Sequence, residues 1–353
     1  MSSVDVTDAA SGSDGRHRVV VIGASAGGVG ALGECLAGAG ELDAAVLIAM
    51  HLPAGGQTSL PAILGRVTSL EVRLAAHHDS LVPGRVLVCP PDHHLLVGRR
   101  RVRLSTGPRE NRARPAVDPL FRTAAQSHAA GTIAVVLSGM LGDGASGMLA
   151  VRRAGGYGIV QDPSDALFGG MPSTALEIAG ADAVLKARDI GPELERLAQE
   201  EVRVEERPDE PDIVELDPKA LQRRTQEGDL TGLTCPECNG ALWEHVDGNI
   251  VTYRCRVGHA FSSEHLDEAQ ANSVEDALWM AVRALEEQAS LLNRSIRRMT
   301  DVGVSDRTTR RMQDRASDAL DRAEVLRDVL AKRAEAEALT ASSQPGGRLR
   351  SSG

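Results

Sequence analysis

The chain has 353 residues, which is enough for about two domains, and its 42% hydrophobic content is enough to build a core. Its 39 Lys and Arg residues against 49 Asp and Glu residues give a formal charge of −10, and aromatic residues make up 2%. An acidic chain repels phosphate backbones, and so few aromatics offer few surfaces for base stacking, so we expect no nucleic-acid binding.

Membrane spans, signal peptides and cysteine content indicate the compartment of a protein. No run of eighteen or more apolar residues predicts a membrane span, so we expect no membrane insertion. No basic stretch followed by an apolar run predicts a signal peptide, and an odd count of five cysteines is not typical of a secreted disulfide framework. We therefore expect a cytoplasmic protein.

In chain order, residues 1–15 are rich in Ser, Asp and Gly and are predicted to be disordered. Residues 16–199 alternate between strand and helix signals, which predicts an α/β domain built on a doubly wound, mostly parallel sheet. The candidate strands are Arg18–Ile22, Ala45–Ala49, Arg85–Val88, Leu95–Val97, Ile133–Leu137, Gly158–Val160 and Ala183–Leu185. Helical stretches fall between them, for example Val29–Ala37, Pro119–Ala129, Ala145–Arg153 and Ser173–Ala179.

The C-terminal part of the chain has a different character. Residues 200–230 are rich in acidic residues and proline, which predicts a linker. A small Cys/His module follows at 231–268. Apolar residues at spacings near 3.6 then predict a helical hairpin at 270–338, and residues 339–353 are expected to form a flexible tail.

The first chemical motif is a turn between a predicted strand and a predicted helix. Ser25 stands in Gly23-Ala-Ser-Ala-Gly27, and glycines on both sides permit a tight turn that projects its hydroxyl. The following helix would direct free N–H groups and its positive dipole end towards an oxyanion. Two other readings stay open on this motif alone, a phosphate-binding loop and a purely structural turn.

A serine nucleophile needs a base, and the base needs a group that orients it. His51 follows the second predicted strand, and Asp143 lies in a glycine-flanked loop after the strand Ile133–Leu137. Neighbouring parallel strands end at the same edge of a sheet, so we expect the three side chains to lie together. Each of them alone is more often structural. The other candidate bases are His77, His78, His93, His94 and His128.

Six collinear segments resemble the CheB-type protein-glutamate methylesterases. They are Val21–Leu32, His51–Leu60, Val88–Leu95, Arg114–Phe121, Val136–Ala145 and Phe168–Pro172. The resemblance implies Ser25 as nucleophile, His51 as base and Asp143 as its orienter. It also implies backbone groups of Ala26 and Met140 at the oxyanion rim, and it implies no cofactor for catalysis.

The implied reaction is hydrolysis of a glutamate γ-methyl ester on a methylated chemoreceptor or related signalling protein, with release of methanol. Deamidation of glutamine on the same receptors is a second implied activity. The sequence departs from the family in two residues, since Ala26 stands where Thr is common and Leu141 stands where Gly is frequent. The methylesterase segments also begin by Arg18, so we expect no receiver domain ahead of them. Control by phosphorylation in cis is therefore not expected.

The Cys/His module carries a metal-ligand pattern. Cys235 and Cys238 form a CxxC pair, and Cys255 with His259 follows after a spacer of hairpin length. This spacing predicts a structural Zn²⁺ site with Cys₃His ligation, in a zinc-ribbon-like fold. His245 and His265 are alternative fourth ligands, and a redox CxxC is the competing reading.

These patterns leave three hypotheses for function. The first is the methylesterase, and the second is a weakly active binding or regulatory module of a chemosensory pathway. The third, a nucleotide-binding enzyme, is the weakest. For the helical hairpin, self-association and docking to a helical partner are both open.

Overall fold

The computed structural model describes residues 18–53, 56, 58–202, 228–248, 250–301 and 306–343. The predicted disordered N-terminus, residues 203–227 of the predicted linker and residues 344–353 of the predicted tail lie outside the described residues. Within the described ranges, no helix combines the length and the apolar character needed to cross a membrane. The chain divides into two compact units, Met1–Asp267 and Glu268–Gly353.

The first unit is built on a seven-stranded parallel sheet with the strand order β3-β4-β2-β1-β7-β8-β9. Its strands are β1 (Arg18–Ala24), β2 (Ala44–Met50), β3 (Glu71–Leu74), β4 (Arg85–Val88), β7 (Thr132–Val136), β8 (Tyr157–Gln161) and β9 (Ala183–Leu185). The helices around it are α1 (Gly28–Ala37), α2 (Leu60–Leu64), α3 (Val117–His128), α4 (Ala145–Arg153), α5 (Gly170–Ile178) and α6 (Ala187–Ala198).

The sheet is buried on both faces because its central strands are continuously apolar. Every residue of β1, β2 and β7 is buried. Side chains of a strand alternate between faces, so Val20 and Ile22 of β1 join one core while Val19 and Val21 join the other. Apolar residues of α1 and α6 complete the first core, and those of α3 and α4 complete the second. The predicted doubly wound α/β fold is confirmed.

Some elements differ from the predictions. The segment Leu95–Val97 belongs to a strand, β5 (His94–Val97), but it pairs antiparallel with β6 (Val102–Ser105) outside the main sheet. The sequence analysis did not identify β3, which lies at the sheet edge without a buried residue, or α6, which contains Gly191 and Pro192. Local propensity is a weak guide at such positions, because tertiary packing decides them.

The Cys/His module is a four-stranded antiparallel sheet in the order β10-β11-β12-β13. Its strands are β10 (Asp229–Thr234), β11 (Ala241–Asp247), β12 (Ile250–Cys255) and β13 (Ala260–Ser262). Its core is small and consists of Cys235, Leu242, Cys255, Phe261 and Leu266. The module belongs to the same compact unit as the parallel sheet.

Two long helices, α7 (Ser263–Asp301) and α8 (Asp306–Ser343), follow the module. Helix α7 begins inside the predicted module and α8 ends inside the predicted tail, so both predicted boundaries fall within helices. In the second unit, Ala289 packs with Ala316, and Val282 packs with Ala323 and Leu330. The order of these contacts is that of an antiparallel helical hairpin.

Candidate active site

The three residues of the predicted triad follow strands of the parallel sheet at its carboxyl edge. Strand β1 lies between β2 and β7, and the chain turns from β1 to one side of the sheet and later returns to the other. Such a switch point opens a crevice at the carboxyl ends of the strands. Ser25 follows β1 and His51 follows β2, whose last residues Ala24 and Met50 are paired.

The turn that carries Ser25 is tight. Gly27 has φ of +73° and caps α1, which starts one residue later. A Cβ at Gly23 would lie 2.2 Å from Cγ1 of Val117, so only glycine fits between β1 and α3. The Ser25 N–H donates to the carbonyl of Ser138, which fixes the turn against the end of β7.

The three side chains form one hydrogen-bonded chain. Ser25 Oγ lies 3.0 Å from His51 Nδ1, and His51 Nε2 lies 2.6 Å from Asp143 Oδ2. An ionised carboxylate only accepts hydrogen bonds, so Nε2 carries the ring proton and donates it to Asp143. The lone pair of Nδ1 then faces the Ser25 hydroxyl, which is the arrangement that a general base needs.

Asp143 is fully buried and receives four hydrogen bonds. Besides His51, the donors are the N–H of Val117 at 2.7 Å, the N–H of Asp118 at 3.2 Å and the amide of Asn111 at 3.0 Å. Burial alone raises the pKa of a carboxyl group. Here the hydrogen bond and charge of His51, together with the Val117 N–H, outweigh it and hold the pKa of Asp143 well below its usual range.

A second buried carboxyl group, Asp118, lies beside the first. Burial, followed by the charge of Asp143, raises the pKa of Asp118 to about 7. Its Oδ1 accepts the N–H groups of Gly144 and Gly147, and its Oδ2 accepts from the amide of Asn111. The environment thus moves the pKa values of the two carboxyl groups apart, and Asp143 is the group that is held ionised.

Sequence reasoning did not identify Asp118 or Asn111 as part of this site. Asp118 stands within one of the six resembling segments, so that segment could have indicated it. Asn111 lies in a polar loop without periodicity or motif, and no sequence signal indicates it.

The remaining predicted site residues, Ala26 and Met140, lie close to Ser25. The carbonyl of Ala26 accepts a hydrogen bond from Ser138 Oγ. Met140 follows Gly139, where a Cβ would lie 2.9 Å from the Ser25 Cβ. Met140, Leu167 and Phe168 are exposed at 55%, 76% and 40%, so an apolar rim borders Ser25.

The four predicted metal ligands lie together in the module. Cys238 Sγ and Cys255 Sγ are 3.6 Å apart, and His259 Nδ1 lies 3.7 Å from Cys235 Sγ and 3.5 Å from Cys255 Sγ. Tetrahedral coordination with Zn–S near 2.3 Å and Zn–N near 2.0 Å requires separations of about 3.5 to 3.8 Å. This group can therefore hold a tetrahedral metal ion.

The two alternative fourth ligands are not part of this group. Among the described residues, the potential metal-binding cluster contains Cys235, Cys238, Cys255 and His259. His265 Nδ1 instead forms a 2.7 Å hydrogen bond with Ser262 Oγ, and burial lowers the pKa of His265 to about 4.

Comparison with known proteins identifies the family of the parallel-sheet domain. The family model described as CheB methylesterase matches residues 20–194. Those residues form a CheB methylesterase domain. The relatives include proteins described as protein-glutamate methylesterase/protein-glutamine glutaminase. One from Ralstonia nicotianae is 37% identical over 180 residues, and the match covers 50% of this chain and 47% of that protein.

Another such relative, from Pseudomonas aeruginosa, is 39% identical over 186 residues, with 52% of this chain and 51% of that protein covered. The chain thus spans about half the length of the curated relatives it matches. The crystal structure of the Thermotoga maritima CheB methylesterase catalytic domain is 32% identical. That match covers 51% of this chain and 98% of that one, with a TM-score of 0.49.

One departure of this CheB methylesterase domain has a structural correlate. Leu141, where glycine is frequent, has φ of +58°. Left-handed backbone favours glycine because it has no Cβ, and a branched side chain there carries strain. The aspartate loop therefore holds a strained residue two positions before Asp143.

Proposed function

We propose that the chain is a protein-glutamate methylesterase with Ser25 as nucleophile, His51 as general base and Asp143 as the group that orients His51. The observation that carries this proposal is the continuous hydrogen-bond chain from Ser25 Oγ through His51 to the buried Asp143 carboxylate. The CheB methylesterase match over residues 20–194 supports it.

In the acylation step, Ser25 Oγ attacks the γ-carbonyl carbon of a methylated glutamate while His51 Nδ1 takes the hydroxyl proton. The carbonyl oxygen of the ester becomes an oxyanion, for which we propose backbone N–H groups of Ala26 and Met140 as donors, next to the N-terminus of α1. When the tetrahedral intermediate collapses, the C–O bond to the methoxy group breaks and His51 returns its proton to release methanol.

In the deacylation step, water attacks the glutamyl-Ser25 ester and His51 accepts its proton. The Oγ–acyl bond breaks, Ser25 recovers its proton and the product is a free glutamate side chain. A glutamine side chain passes through the same acyl-enzyme and releases ammonia instead, so glutaminase activity belongs to the same proposal. The names of the relatives include both activities.

As substrate we propose a methylated chemoreceptor or a related signalling protein in the cytoplasm. The apolar rim of Met140, Leu167 and Phe168 supports a protein substrate, because exposed apolar side chains around a nucleophile favour contact with a protein surface. This mechanism needs no cofactor.

For the module we propose a structural Zn²⁺ bound by Cys235, Cys238, Cys255 and His259. Four protein ligands close a tetrahedral site and leave no open position for a substrate, so the ion would stabilise the fold and take no part in the chemistry. The exposed hairpin side chains Trp279, Met280, Leu291 and Val325 support a further proposal that the hairpin binds a partner helix or a second copy.

The proposal is tested by methanol release from a methylated receptor cytoplasmic fragment. We expect release by the natural protein and a fall of about ten-thousand-fold or more for Ser25→Ala, since loss of the nucleophile removes the covalent route. Ser290→Ala, at an exposed position of α7, is the matched control and is expected to keep full activity. If the natural protein binds the fragment without releasing methanol, the alternative of a weakly active binding module replaces the esterase.

A further inference from the structure

The Cys/His module contacts the methylesterase domain next to the triad, and part of this contact is made by backbone hydrogen bonds. The Ala260 N–H donates to the carbonyl of Arg109 at 3.3 Å, and the Asn111 N–H donates to the carbonyl of Ala260 at 2.8 Å. Residues 109–111 thus run parallel to β13 and pair with the edge of the module's sheet.

Residues 109–111 and β13 form a narrow strip of contact, and Arg153 of α4 also pairs with Asp247 of β11 outside this strip. A cavity of about 430 Å³ separates β11 and β12 from α3 and α4, with Arg122 and Ser146 on one side and Thr252 on the other. At the edge of the cavity, the buried Glu110 carboxylate pairs with Arg122 of α3 at 2.8 Å and with Arg254 of β12 at 3.5 Å. Burial raises the pKa of Glu110, but the two guanidinium groups outweigh it and lower that pKa.

The Asn111 side chain joins the strip to the triad. Its Nδ2 donates one hydrogen bond to Asp143 Oδ1 at 3.0 Å and another to Asp118 Oδ2 at 3.2 Å. Its Oδ1 accepts the N–H of Ser262, the last residue of β13, at 2.9 Å. Each amide group thus has partners of the matching kind, and one buried side chain links the module to the carboxylate that holds His51.

The backbone around Asn111 fixes the direction of its side chain. Asn111 and Arg112 have φ of +50° and +61°, and the flanking residues Glu110 and Ala113 exchange two backbone hydrogen bonds. Positive φ at both central residues is the requirement of a type I′ hairpin turn, in which asparagine is favoured at the first position. The turn therefore holds the amide rigidly towards Asp143.

The start of α7 closes the same side of the site. His265 is 3% exposed, and its Nδ1 forms a hydrogen bond with Oγ of Ser262, the last residue of β13. Both Asp143 and His51 lie close enough to influence its pKa. The module thus supplies the hydrogen bond from Ser262 to Asn111, and the helix that follows β13 places His265 near Asp143.

We propose that the Cys/His module is part of the esterase site, with Asn111 as a positioning residue that transmits the metal-held geometry of the module to Asp143. This inference rests on the proposed triad. With its metal bound, the module keeps β13 in place, β13 holds Asn111, and Asn111 holds the Asp143 carboxylate in line with His51. Loss of either the amide or the metal leaves Asp143 Oδ1 with weaker support beside a second carboxyl group.

The test measures the reactivity of Ser25 without any receptor, by the rate at which the full chain reacts with diisopropyl fluorophosphate. In that reaction the Ser25 Oγ–P bond forms, the P–F bond breaks, fluoride leaves and His51 takes the hydroxyl proton. Mass spectrometry follows the labelled protein. For Asn111→Ala we expect a rate lower by about tenfold to a hundredfold, the usual effect of losing a group that orients a functional side chain. Asn293→Ala, exposed on α7, is the matched control and keeps the natural rate.

Two further readouts separate positioning from general destabilisation. In methanol release, kcat should fall by the same factor as labelling while KM changes little. A chelator applied to the natural protein should lower the labelling rate by a similar factor. Applied to Asn111→Ala it should add much less, because both changes break the same path.

The proposal is overturned if folded Asn111→Ala labels at the natural rate, or if chelation and the substitution multiply as independent effects. If Asn111→Ala does not fold, the proposal is tested on the natural protein alone. An unchanged labelling rate after complete metal removal then rejects it. If only the proposed esterase function is wrong, the labelling rate still depends on Asn111 and the metal, but no methanol is released. An unreactive Ser25 in the natural protein rejects both.

Discussion

The parallel sheet and the Cys/His module belong to one compact unit, yet they are stabilised in different ways. Every residue of β1, β2 and β7 is buried, and helices cover both faces of the sheet. In the module, β10 has no buried residue, β11 has one, and two of the five core residues are predicted metal ligands. Apolar burial is sufficient for the sheet, whereas so small a core has little apolar burial of its own, which agrees with the metal ion that we propose there.

Metal removal should have the largest effect, because it should destabilise the module and leave the parallel sheet folded. Binding of Zn²⁺ to small structural sites contributes about 10 to 16 kcal/mol, so chelation should unfold the module locally. We expect hydrogen exchange, followed by mass spectrometry, to lose protection in β10 to β13 and to keep it in β1 and β2. Cys235→Ser should give the same pattern without a chelator. Equal loss of protection in both regions would contradict the comparison.

A cavity in the sheet's own core should have the next largest effect. Phe121 is fully buried in the core between α3 and the sheet, and Phe121→Ala should reduce the free energy of unfolding by about 3 to 5 kcal/mol. Urea denaturation of the metal-loaded protein measures it. Phe168→Ala, which removes a 40% exposed ring, is the matched control and should change stability by about 0.5 kcal/mol or less. Similar losses for both variants would mean that burial does not dominate.

The smallest of the three effects concerns the buried carboxyl pair. The pKa of Asp118 is raised to about 7 in the folded protein, from an ordinary value of 3.8. Between these values the folded chain keeps a proton that the unfolded chain has released, so its contribution to stability is present at low pH and declines as pH rises towards 7. Asp143 has the opposite shift, and its contribution is lost only below the ordinary value.

Unfolding free energies at pH 5 and pH 7.5 test this contribution. The natural protein should lose on the order of 1 to 3 kcal/mol more over this interval than Asp118→Asn, which has no proton to release. Asp92→Asn, which removes a carboxyl group on the surface, should show the same pH dependence of unfolding free energy as the natural protein. Parallel pH dependences of the natural protein and Asp118→Asn would show that protonation of Asp118 makes no contribution to the unfolding free energy.

The alternation of apolar runs and helical periodicity was enough to predict the doubly wound sheet, because strands buried on both faces must be apolar at nearly every position. The same logic indicated Ser25, His51 and Asp143, since residues after parallel strands meet at one edge. It did not identify β3, which has no buried residue, and it assigned the β5 segment no partner.

The sequence by itself determined the chemical groups of this protein: a serine between glycines, a histidine and an aspartate after strands, and three cysteines and a histidine at metal-ligand spacing. Local spacing is preserved in the fold, so such groups can be read from the chain. Only the tertiary structure decided that the module lies against the triad and that Asn111 connects the two. Residues 111, 143 and 262 are far apart along the chain, and their hydrogen bonds arise from the packing of separate elements, which no local pattern records.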